Sequence, residues 1–99
     1  MNAPTEKLET ASDSSNDPET RERAINELGT ANDCARLVEL ARMDDIGERY
    51  REQALSSLAH PQCRTRLEAL VEDRELPESL RERAETLLEE TPEDAGAGP

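Results

Sequence analysis

The sequence predicts an all-α fold, a small α-α solenoid of about five helices with flexible ends, on three observations. A block of residues recurs at an offset of 30, apolar residues fall at helical spacing, and Asp and Pro stand where helices would begin. Arg21-Glu22-Arg23-Ala24 with Leu28 returns as Arg51-Glu52-Gln53-Ala54 with Leu58, and again as Arg81-Glu82-Arg83-Ala84 with Leu88. Arg36-Leu37 with Leu40 returns likewise as Arg66-Leu67 with Leu70. The i, i+3, i+4 spacing of Leu37, Leu40 and Ala41, and of Leu67, Leu70 and Val71, marks one stripe of a helix at 3.6 residues per turn. No β-branched alternation competes with it, and the prolines would interrupt a sheet ladder.

In chain order, residues 1–17 are polar and nearly devoid of apolar side chains. They bury too little to offset the entropy of ordering and read as a disordered acidic arm. Asp17-Pro18 then supplies an N-cap and a first-turn Pro for a helix over 18–29. Further helices are expected over 33–43, 47–59, 61–73 and 77–90, the last two announced by His60-Pro61 and Leu76-Pro77. That makes one domain over 18–90, two full hairpins and a capping helix. Residues 91–99, closing on Asp-Ala-Gly-Ala-Gly-Pro, read as a disordered tail.

The end helices carry a polarity gradient that a short stack needs, because a terminal layer has a neighbour on one side only. On the first helix of each unit one flank reads Ile25, Leu55, Glu85. The other reads Thr20, Tyr50, Leu80 and Glu27, Ser57, Leu87. The two gradients run in opposite directions, as in a self-capped set of three layers.

An Ala-x-x-x-Leu first helix and a Leu-x-x-Leu second helix in a unit of about 30 residues resemble the short HEAT-like repeats of the phycobilisome lyase type. The resemblance covers residues 18–90 and implies a helical-hairpin array that binds proteins. Enzymatic relatives are not matched by these residues. A di-iron site needs paired His and Glu, and His60 is the only histidine; a bilin lyase needs a deep pocket; a DNA glycosylase needs a basic, aromatic-lined face, and Tyr50 is the only aromatic. No enzyme activity and no cofactor are expected.

Charge narrows the partners further. Asp and Glu number 24 against 12 Lys and Arg, a net −12, which argues against nucleic acid and anionic membranes. Eleven of the cations are Arg and one is Lys7, a lysine-poor acidic composition that resembles the proteins of salt-in halophiles. A GC-rich genome would also favour Arg over Lys. The N-terminal residues lack a secretory pattern and no run is long enough to span a bilayer, so a cytoplasmic monomer is expected.

Two sets of residues are candidates for function. The outward face of the second helices presents Arg36, Glu39, Arg42 and Met43, then Arg66, Ala69 and Glu72, with Arg36 and Arg66 in register; this strip is the expected docking surface for another protein. Its alternative is a solvated helix face. Cys34 and Cys63 lie near the starts of the two second helices, offset by 29, and are expected as reduced, buried thiols, as suits a reducing compartment. The competing readings are a thiol- or metal-responsive regulator using Cys34, Cys63 and His60, and a structural subunit of a larger assembly. Arg21, Arg51 and Arg81 are expected to lay their stems along the core and pair with Glu22, Glu48, Glu78 or Glu85.

Overall fold

A computed structural model describes residues 4–91. Six α-helices and one 3-10 turn make up this part: α1 (Pro4–Ser12), α2 (Pro18–Thr30), α3 (Cys34–Arg42), α4 (Glu48–Ser57), a 3-10 turn (Pro61–Cys63), α5 (Arg64–Val71) and α6 (Glu78–Glu90). Among the described residues there is no strand. None of the helices is long and apolar enough to cross a membrane.

The helices expected from the sequence all form, with the fourth opened by a 3-10 turn, but their number is six and not five. The expected disordered arm over 1–17 is overturned for its described part. Pro4–Ser12 is helical, Leu8 is buried and Ala11 is wholly so. Two apolar side chains alone would not hold a nine-residue helix. The helix is fastened by polar ties instead: Arg21 Nε donates to the Ala11 carbonyl at 2.9 Å, Asn16 Nδ2 to the Thr10 carbonyl at 3.1 Å, and Lys7 pairs with Glu27 at 2.7 Å. The expected tail falls outside the described residues except for Thr91, which is buried and accepts from Arg64 Nε on its carbonyl.

With α1 in place the phase of the repetition shifts by one helix. α1 packs on α2, α3 on α4 and α5 on α6, while α4 and α5, expected as a hairpin, scarcely touch. The pairs then stack, α2 against α4 against α6 and α1 against α3 against α5. Each pair is joined by a turn of the same form, at 13–17, 43–47 and 73–77. In the first, Asp13 accepts from the Ser15 N–H at 2.9 Å, and in the third Asp73 accepts from the Glu75 N–H at 3.0 Å, the Asx bond that lets a short side chain organise a turn. Ile46 and Leu76 fold back from the second and third turns into the core.

One continuous core runs between the helices. Ile25, Leu28, Leu37, Leu40, Leu55, Leu58, Leu67 and Leu80 are almost or wholly without solvent contact. The flanks follow the sequence gradient: Ile25 and Leu55 are buried where Glu85 is exposed, and Tyr50, Leu80 and Leu87 are buried where Glu27 is exposed. α2 and α4 approach closely where Gly29 faces Ser57; a Cβ on Gly29 would lie 3.3 Å from the Ser57 side chain.

Candidate interaction surface

The repeated arginines do not form the expected ladder with glutamates. Arg21 and Arg51 are buried, and each points its Nε to the carbonyl ten residues back, Ala11 and Ala41, at 2.9 Å in both cases. These carbonyls lie in the last turn of α1 and α3, where no helical N–H remains to satisfy them. The guanidinium of Arg21 also lies 4.0 Å from the centroid of the Tyr50 ring in the next pair. In the third pair the pattern breaks: the buried Nε of Arg81 has no acceptor among the described residues. The glutamates are engaged elsewhere, Glu22 with Arg49 and Glu48 with the Ser79 hydroxyl.

The cysteines also depart from expectation. Cys34 and Cys63 are not free thiols but a disulfide, with Cα atoms 5.5 Å apart, tying the first turn of α3 to the start of α5. The sequence offset of 29 explains how they meet. Cys63 is not the equivalent of Cys34 but of Asp33, the N-cap of α3, whose side chain accepts from the Arg36 N–H. Cys63 caps α5 without any such bond, so this helix start exchanges a capping acceptor for a covalent tie across the layer. His60 stands just before the 3-10 turn, with its Nε2 buried and without a hydrogen-bond partner among the described residues. Among the described residues no three His, Cys, Asp or Glu side chains cluster as a metal site would require.

Of the strip expected to dock a partner, Glu39, Arg42, Arg66, Ala69 and Glu72 are exposed, whereas Arg36 and Met43 are half-buried. Arg36 pairs with Glu39 at 3.7 Å, and Arg42 reaches across to the third turn, to Asp73 at 2.9 Å and Glu75 at 3.1 Å. Arg66 makes no ion pair among the described residues. The strip therefore divides. Arg66, Ala69 and Glu72 stay on the open face of α5, and Glu39, Arg42 and Met43, joined by Val38 from outside the strip, border a hollow of about 690 Å³ between the end of α3 and the two turns that follow α3 and α5. Asp44, Glu75 and Leu76 complete its wall and were not singled out from the sequence, since they belong to turns.

Electrostatically the rim is acidic, and its one arginine is already neutralised by two carboxylates. Hydrogen bonding from Ser15 holds Asp13 below the usual carboxylate range, and hydrogen bonding from Thr20 does the same for Asp17, the N-cap of α2. Comparison with protein-family models, with curated proteins and with solved structures finds no match to this chain.

Proposed function

We propose that the chain is a HEAT-like helical repeat module that binds another protein and carries out no catalysis. The observation that supports this most directly is the hollow at Met43. It is the position at which the repeating turn departs from its own pattern, with Met43 standing where the other two turns have Asp13 and Asp73. A half-buried thioether in that place gives up a turn-forming bond and offers soft apolar contact, a residue type favoured at interfaces. The sequence repetition at an offset of 30 and the stacked helix pairs support the short-solenoid reading, and the acidic, lysine-poor composition supports work in concentrated salt.

The test is affinity capture at high salt, using the intact chain and an Arg36→Glu, Met43→Asp variant as baits. One stoichiometric partner held by the first and lost by the second is expected. No stoichiometric partner for either bait would refute the reading.

A second reading, a thiol-responsive regulator, is favoured by the Cys34–Cys63 bond. In a reducing cytoplasm such a bond would cycle between states, whereas in an oxidising compartment it is a permanent staple. Thiol trapping in acid-quenched cells separates the two, since a mixed population is expected only if the bond cycles.

A further inference from the structure

We infer that the hollow at Met43 accepts a short segment of another protein in which a large apolar side chain stands next to a lysine or arginine. This refinement rests on the interaction reading above and names the chemistry of the partner. Its volume, about 690 Å³ and open to solvent on one side, is enough to seat a few side chains. The floor is apolar: Leu76 is buried, and Val38 and Met43 are half-exposed and pack on the core from outside. In the first pair the position of Val38 is held by Leu8, which is buried. The second pair is thus left with apolar surface that the first encloses.

The rim dictates the sign of the partner's charge. Of the rim carboxylates Glu39 is paired with Arg36, and Glu75, together with Asp73, holds Arg42, which leaves Asp44 as the carboxylate open to a partner. Asp44 has no cationic partner among the described residues. A cation entering here gains a carboxylate that is only partly compensated, an attraction exerted at contact range where salt screens it least. An acidic ligand meets the opposite field, and a second copy of this acidic chain would set two like-charged rims against each other.

Met43 carries the specificity argument. In the first and third turns the equivalent Asp organises the backbone through the N–H two residues on. An Asp at 43 would do the same and would close the apolar floor with a charge. Met43→Asp is therefore a variant that keeps the fold, by imitating its two sister turns, while removing the proposed contact.

Labelled short peptides of repeated Leu-Arg pairs, with Ala-Arg and Leu-Glu counterparts, provide the probes, read by fluorescence anisotropy and by amide chemical-shift mapping. The Leu-Arg peptide is expected to bind and to shift the amides of Val38, Met43 and Leu76. Met43→Asp and, independently, the exposed-rim variant Asp44→Lys with Glu75→Lys should each weaken it about tenfold or more. The Leu-Glu peptide should not bind. Equal binding of Ala-Arg and Leu-Arg peptides, undiminished by Met43→Asp, would overturn the proposal by reducing it to general charge attraction. So would shifts confined to the Arg66 face, or a concentration-dependent dimer that occupies the hollow. These outcomes leave the interaction reading standing if the capture experiment still yields a stoichiometric partner; failure of that experiment removes both.

Discussion

Breaking the Cys34–Cys63 bond should weaken the fold by an amount that the chain entropy sets. The bond closes a loop between residues 29 apart, and a cross-link of that span removes denatured-state freedom amounting to about 3.6 kcal/mol. For a chain of this size each kcal/mol moves the melting midpoint by about 4–8 °C, so reduction should lower Tm by roughly 15 °C or more. The two ends of the bond are not equivalent. Cys34→Ala loses the cross-link outright, whereas Cys63→Ser puts a hydroxyl at the N-cap of α5, where Asp33 serves α3, and should recover about 1 kcal/mol of the loss. Urea unfolding followed by far-ultraviolet circular dichroism, with thiol titration at each point, measures all three states. An unchanged midpoint in protein shown to carry two free thiols would refute the entropic argument, and two free thiols before any reductant is added would refute the pairing itself.

Three further outcomes are expected. Arg51→Met should cost about 1–3 kcal/mol in chemical denaturation by stranding the Ala41 carbonyl, while Arg81→Met, which loses no acceptor, should be close to neutral; equal costs would contradict the helix-end role. Raising salt from about 0.1 to 1 M shortens the screening length from about 10 to 3 Å and should raise the urea midpoint of a chain carrying −12; a flat or falling midpoint would remove the self-repulsion argument. Because Asp13 and Asp17 are held below the ordinary carboxylate range in the fold, their contribution is fully present above about pH 4 and is lost as pH falls through their lowered values. Amide-exchange protection at the start of α2, taken relative to the intrinsic rate at each pH, should fall over that acid window and should lose this dependence in Asp13→Asn with Asp17→Asn, even though protonating other carboxylates relieves repulsion across the chain.

The helix boundaries were legible because each carried its own chemistry. Asp17 caps α2 as its type and place demand, and the Leu37–Leu40–Ala41 stripe is wholly buried. α1 escaped notice because its ordering depends on partners distant from it, Arg21 and Glu27, that no local pattern reveals. One signal was available: subtracting 30 from Cys34–Arg42 lands on Pro4–Ser12 and aligns Ala11 with Ala41. The disulfide does not follow from the offset of 29 by itself, because that offset pairs a cap position with a first-turn position only once both helix starts are placed. Of the docking strip, the periodicity found Arg66, Ala69 and Glu72 on the open face. It could not find Arg42 bridged to a following turn, because helical geometry says nothing about where a loop will lie.

The ten-residue reach of Arg21 to Ala11, and of Arg51 to Ala41, has a consequence for the order of events during synthesis. Loops of that length close in about 10–100 ns, far faster than a ribosome adds a residue. The first and second helix pairs can therefore latch before their successors exist, and low separation between residues in contact within a pair favours rapid folding of that pair. The sulfur bridge, like the Arg42–Asp73 pair and the Glu48–Ser79 bond, must wait for a residue made about 30 positions later. Oxidation then fastens one layer to the next, across a boundary that the short-range latches do not span.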